Sequence, residues 1–240
     1  MTPNPVIERR FLFFHSARVI LHDALFLDLL RKHRYLFIVA LSHHDFSVPA
    51  GVVKKQKKTT LIDLQKNPQA ILQSFHDTTR NEVRRTFAMN GFTVTCNDDR
   101  FSEAYACYKR FRKDKKLPLK PRSFLRQALR MSAYWHTDLV AVVTWYDTKP
   151  VMRIQHIFSR PAVTAEDRKI IGFATRRLIY EICVYGSNQG YKALDMASIN
   201  LDNPTKEGIT RFKLSFGGDV VNEYVYTYRS PLIRFLRRFL

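Results

Sequence analysis

Two long runs rich in β-branched and aromatic residues, "YWHTDLVAVVTWYD" and "PVMRIQHIFSR", are followed by one helical pattern from about Thr164 to Asn188, and nothing else in the chain restricts its fold as strongly. The runs read as strands, and the residues of the linking "DTKP" suit a hairpin turn. Beyond the helix, "KALDMASIN" reads as a strand, "TKEGITRFKLSF" as a helix, and "VVNEYVYTYR" as a last strand with Val/Tyr alternation. Strands and helices interleaved in this way predict a mixed α/β domain.

The upstream half is less regular. "RRFLFFHSARVIL" and "YLFIVALSHHDF" predict strands, with "LFLDLLRKH" a short helix between them. "GVVKKQKKTT" has no hydrophobic period and reads as a basic loop before a short strand, Thr60 to Leu64. From Gln69 the period is helical, with Leu72, Phe75, Thr79, Val83 and Phe87 on one face and Asn90-Gly91 as the stop. Then come a strand "FTVTC", a helix "NDDRFSEAYACYKRFRKDKK" capped by Asp98 or Asp99, a basic linker "LPLKPR" and a helix opened by Ser123.

Forty Lys and Arg against 21 Asp and Glu, in 240 residues, give a net charge of +19. Such a surface attracts phosphate whatever carries it, so nucleic acid, anionic lipid headgroups and phosphorylated small molecules all qualify as partners. No segment approaches the roughly 18 uninterrupted apolar residues of a membrane span. The start, "MTPNPVIERR", has no signal-peptide pattern, and a cytoplasmic protein is expected. Cys96, Cys107 and Cys183 lack any metal-ligand spacing and read as buried thiols. His43 and His44 are adjacent, so on a strand they face opposite ways and cannot share a metal. Without a Gly-x-Ser-x-Gly elbow, a Walker loop or a zinc spacing, metal-independent transfer is the chemistry left.

Three places attract notice as sites. In "GITRFKLSFGG", Lys213 stands between Phe212 and Phe216 in a glycine-bounded frame; it reads either as a working cation or as a surface lysine on a helix whose phenylalanines pack. Arg80, Arg84 and Arg85 suit a diphosphate, because guanidinium forks bind phosphate in pairs, or they form a solvated basic face. In "DRKIIGFATRRLIYE", Gly172 near a helix N-terminus, with Lys169 beside it, suits a phosphate, or Gly172 is there for packing.

The pattern resembles known families. "KIIGFA" is similar to the phosphate-binding turn of GNAT acyltransferases, Gln/Arg-x-x-Gly-x-Gly/Ala, with Lys in place of Gln/Arg. A closer resemblance is to FemAB-like aminoacyltransferases, the peptidoglycan interpeptide-bridge enzymes of the cell envelope, whose fold is made of GNAT-type units. Their Arg-x-x-Ile-Arg-Arg-Ala-x-x-x-Gly helix end is matched by "TRNEVRRTFAMNG", their strand Asp by Asp195 of "ALDMASIN", and their Gly-x-x-x-Phe-Lys-x-x-Phe-Gly segment by Gly208 to Gly217. Ala197 and Ser198 stand where the family often has glycines.

The resemblance implies a GNAT-like, mostly antiparallel central sheet flanked by helices. It implies Lys213 as the stabiliser of a developing oxyanion and Asp195 as a group that accepts or orients the amine proton. Phosphate or substrate would meet Arg80, Arg84, Arg85, Lys169, Gly172, Arg211, Phe212, Phe216 and Gly217. No tightly bound cofactor is expected; the donor is an aminoacyl-tRNA or an acyl-CoA, and the acceptor an amine on a phosphate-bearing molecule. The alternatives are a CoA-dependent N-acyltransferase and a non-catalytic GNAT-derived module that binds RNA or anionic membrane.

The expected organisation is a reduced N-terminal half (1–57), an acyltransferase domain (58–228) and a basic tail (229–240). In the tail, Leu232, Phe235, Leu236 and Phe239 share one helical face and Arg234, Arg237 and Arg238 the other. Such a helix suits an anionic membrane surface, peripheral at the inner face, or docks on the domain itself.

Overall fold

In the computed structural model the described residues are 6–236 apart from 12, 13 and 33. The strands are β1 (Val6–Phe11), β2 (Phe14–Ile20), β3 (Phe37–Ser42), β4 (Val52–Asp63), β5 (Phe92–Cys96), β6 (Leu129–Trp135), β7 (Asp138–Thr148), β8 (Val151–Ser159), β9 (Ala193–Asp195) and β10 (Asp219–Arg229). They form one sheet in the order β1-β2-β3-β10-β4-β9-β8-β7-β6-β5. Only β2–β3 and β8–β9 are parallel pairs among the described residues, so the mixed, mostly antiparallel sheet expected from the sequence is the one found.

The helices are α1 (Asp23–Arg31), α2 (Pro68–Ser74), α3 (Asp77–Phe87), α4 (Phe101–Asp114), α5 (Arg122–Arg126), α6 (Ala165–Asn188), α7 (Glu207–Leu214) and α8 (Pro231–Leu236). On one sheet face α6 carries Leu178, Ile179 and Ile182 into a core with Trp145, Phe75 and Phe216. A capping box starts this helix: the Thr164 hydroxyl accepts from Asp167 N–H, and the Asp167 carboxylate accepts from Thr164 N–H. On the other face α4 and α5 bring Tyr108, Phe124 and Leu125 against Phe158, Val142 and Leu41.

Five expectations are corrected. The basic segment from Val52 to Lys58 is not a loop but the first half of β4, held by β10 in unbroken antiparallel register from Val52 to Leu61. The helix expected from Gln69 is two, α2 and α3, broken where His76 N–H donates to Ser215 O at 2.9 Å. "YWHTDLVAVVTWYD" is likewise split, with β6 and β7 turning at His136, whose φ is 54°. Asp98 does not cap α4; its carboxylate takes bonds from Arg130 (2.7 Å) and Tyr134 (2.8 Å) and so ties the helix entry to β6. Of the three thiols only Cys183 is buried, and Cys96 is exposed.

The feature that positions a site is a gap at the middle of the sheet. β9 pairs with β8 only from Val151↔Ala193 to Arg153↔Asp195, then ends, while β8 continues to Ser159. On its other side β9 meets β4 only at Leu61–Asp63. Past Asp195 the chain parts from β8 but stays tethered to β4, through Met196 N–H to Thr60 O (3.0 Å) and an isolated bridge in which Ile199 N–H donates to Lys58 O (2.8 Å).

Candidate functional site

Asp195, the last residue of β9, is fully buried, as is Glu223 of β10; Arg153 of β8 is 4% exposed. Arg153 lies between the two carboxylates and pairs with both. The remaining capacity of Asp195 is filled as well. Oδ1 accepts from the Thr59 hydroxyl at 2.5 Å and from Ala197 N–H at 2.7 Å, and Oδ2 faces His43 Nε2 at 2.9 Å. Burial alone would raise this carboxyl; the charge of Arg153 and the bonds from His43 and Thr59 outweigh it and hold Asp195 down at about 2.

Lys213 enters from α7. Its Nζ donates to the carbonyl oxygens of Ala197 (3.1 Å) and Ser198 (2.9 Å), in the segment leaving β9. An ammonium has three N–H groups, and the third has no partner among the described residues. Burial lowers its pKa to about 8, helped by the positive Arg153 and opposed by Asp195 and Glu223. Two cations and two carboxylates thus share one buried neighbourhood, which keeps the cost of sinking each charge bearable.

The same segment walls a cleft of about 660 Å³. Ser198 and Ile209 line it together with four cations, Lys55, Lys57, Lys58 and Lys206, against one acid, Asp202. Three of the lysines come from the first half of β4, beyond the stretch that pairs with β9. Thr210 of α7 accepts from Asn200 N–H at 3.3 Å and donates to Asn200 O at 2.9 Å, so the helix that carries Lys213 is pinned to the cleft wall.

The other residues singled out from the sequence are distributed differently. Phe212 and Phe216 do not cage Lys213; their rings meet edge to face at 5.1 Å and join the α6-side core. Gly217 serves packing: at φ 65° its missing Cβ would collide with Ser74 O. Arg80 staples the α2–α3 corner through Gln73 O (3.0 Å), Phe75 O (3.1 Å) and Asp77. Arg84 and Arg85 are exposed on α3, and Arg211 is exposed and paired with Glu207. Gly172 is no turn; it lies inside α6, eight residues from the start, where its N–H belongs to the helix, and Lys169 pairs with Glu166 on the surface. None of these cations lines the cleft.

The sequence pointed to His43 only as a metal ligand that its neighbour His44 could not share, and not as a partner of Asp195. His43 Nε2 faces a carboxylate that stays ionised, so Nε2 carries a proton toward Asp195 and Nδ1 is the ring nitrogen on the far side of that bond. Nδ1 has no partner among the described residues, and the side chain is 16% exposed. The only sequence signal was a histidine ending a strand. His44 turns away to Asp23 at 2.8 Å.

No protein-family model matches the sequence, and no curated protein matches it. Solved structures do match in fold. FemX superposes over 96% of this chain and 86% of its own with a TM-score of 0.65 at 10% identity. The C-terminal domain of a putative lysylphosphatidylglycerol synthetase from Agrobacterium fabrum covers 97% and 83%, with a TM-score of 0.57 at 11% identity. L-PGS from Bacillus licheniformis covers 97% and 84%, with a TM-score of 0.56 at 15% identity. The FemAB-like fold implied by the three sequence segments is therefore the fold of the chain.

Proposed function

We propose that this protein transfers an acyl or aminoacyl group from an aminoacyl-tRNA or acyl-CoA donor to an amine on a phosphate-bearing acceptor. The observation that carries the reading is the spare N–H of Lys213, fixed by two backbone carbonyls beside a basic cleft. The amine nitrogen attacks the donor carbonyl carbon, and the electron pair of the C=O bond moves to oxygen. Lys213 donates its third hydrogen bond to that oxyanion, in a setting drier than bulk water.

His43 Nδ1 takes the proton that the attacking amine sheds, with Asp195 holding the ring, and returns it to the departing oxygen or sulfur as the carbonyl re-forms. Asp195 acts through His43 and through the Ala197 N–H rather than on substrate. Phosphates of donor or acceptor meet Lys55, Lys57, Lys58 and Lys206. The fold shared with FemX and with lysylphosphatidylglycerol synthetases, whose named product joins an aminoacyl group to a phosphate-bearing lipid, supports the aminoacyl-transfer and phosphate-bearing parts of this reading.

The test is a mass-spectrometric screen of charged tRNAs and acyl-CoAs with amine acceptors, using wild type and Lys213→Met. Loss of an oxyanion donor lowers turnover by about 100- to 1000-fold. Undiminished transfer by a folded Lys213→Met variant would remove the proposed role.

A further inference from the structure

We propose that the protein docks on an anionic bilayer surface through a rim formed by α8 and the α4–α5 connection; this goes beyond the transfer reaction and does not depend on it. Residues 109–126 hold nine Lys and Arg against one acid, Asp114. At the tip of this segment Leu117 is 43% and Leu119 53% exposed, directly after the exposed Lys115 and Lys116. The tip is fastened in that posture. Leu117 N–H donates to Arg112 O at 2.8 Å, Arg112 Nε to Pro118 O at 3.0 Å, and the Tyr105 hydroxyl to Lys120 O at 3.3 Å.

α8 repeats the combination. Leu232 is 52% and Phe235 58% exposed, three residues apart on one side, while the Arg234 guanidinium lies back over Gly51. The remaining tail residues, 237–240, lie outside the described residues.

Both elements border the same end of the sheet. Ser230 N–H, immediately before α8, donates to Leu36 O at 2.9 Å. The next residue, Phe37, lines a hollow of about 220 Å³ with Arg18 and Val39, and Lys120 of the α4–α5 connection and Phe124 of α5 complete its wall. Arg229 is paired with Phe37 across β10 and β3, which puts its side chain on that same face. Leu117 and Leu119 thus stand on the segment that walls this hollow through Lys120, and Leu232 and Phe235 on the helix that follows Arg229 at the same end of the sheet.

Single exposed apolar side chains are ordinary on a protein surface. Four on one basic rim match a lipid interface, where apolar tips enter the acyl boundary and cations meet headgroup phosphates. RNA would engage the cations but gains nothing from protruding leucines. No described helix is long and apolar enough to cross a membrane, so attachment of this kind is peripheral.

The experiment sediments the full chain with vesicles of phosphatidylcholine alone and of phosphatidylcholine mixed with phosphatidylglycerol. Wild type pellets with the mixed vesicles, and added salt releases it only in part. The doublets Leu117→Ser/Leu119→Ser and Leu232→Ser/Phe235→Ser each lower partitioning about tenfold. All four positions are exposed, so both doublets melt like wild type; if one does not, the other decides. Pelleting of both folded doublets at the wild-type level overturns the proposal, as does RNA binding without any pelleting on the mixed vesicles.

Discussion

The Asp195 carboxylate accepts a hydrogen bond from the backbone N–H of Ala197 at 2.7 Å, and Ala197 is held with φ at 63°. This left-handed turn swings the carbonyls of Ala197 and Ser198 toward Lys213, so a buried acid two residues away sets where the ammonium is held. It also explains the glycines that FemAB-like sequences often carry after this aspartate: the backbone needs a positive φ, which a Cβ resists.

Ala197→Gly should therefore be tolerated and stabilise the fold by up to about 1 kcal/mol, since the strain relieved exceeds the extra chain entropy of glycine. Equilibrium urea unfolding measures it. A loss of stability would mean that the alanine methyl packs usefully and that the turn is not strained.

Asp195 makes the native state sensitive to acid. Its folded value, about 2, lies below the ordinary 3.8, so its contribution is fully present above pH 3.8 and disappears as pH falls through 2. The depression corresponds to roughly 2–3 kcal/mol. Asp195→Asn should lack this part of the acid dependence and cost about 3–5 kcal/mol at neutral pH, because Arg153 keeps a single buried partner. Parallel acid-unfolding curves of the two proteins provide the comparison.

Lys213 gives activity and stability opposite slopes on the alkaline side. Oxyanion stabilisation needs the ammonium, so kcat/KM should fall as pH rises through about 8 rather than near 10.5. Between 8 and 10.5 the unfolded chain holds the proton that the native lysine has released, so this group's contribution to stability rises with pH. A guanidinium keeps its charge throughout, and Lys213→Arg should lose the alkaline limb even if its rate is low. An unchanged limb in that variant would assign the ionisation elsewhere.

How much of this was readable beforehand follows from which forces set each element. β8, α6, α7 and β10 were legible because period and turn residues agreed. β4 was not: Lys54 to Lys58 are exposed on both faces, so no alternation marks a strand that exists through its pairing with β10. The α2–α3 break carries no glycine or proline and comes from a bond to Ser215, far along the chain. Lys213 stood out as a charge in an apolar frame and Asp195 through the resemblance to FemAB-like sequences, but the partners that define them did not. His43 lies 152 residues from Asp195, and only the folded sheet brings them together.

The cleft lysines offer the sharpest contrast with the arginines that the sequence put forward. Lys55, Lys57 and Lys58 line the cleft from β4, whereas Arg84 and Arg85 lie on the exposed side of α3 and line no part of it. Lys55→Gln/Lys57→Gln should weaken binding of a phosphate-bearing donor or acceptor and flatten its salt dependence by about two counterions' worth of slope. Arg84→Gln/Arg85→Gln should leave that slope unchanged. Because β4 is held by backbone bonds to β10 and its lysine side chains are exposed, the first pair should melt like wild type. If the arginine pair alone altered the slope, phosphate would have to be received on α3, and the cleft beside Lys213 would lose its claim to the substrate.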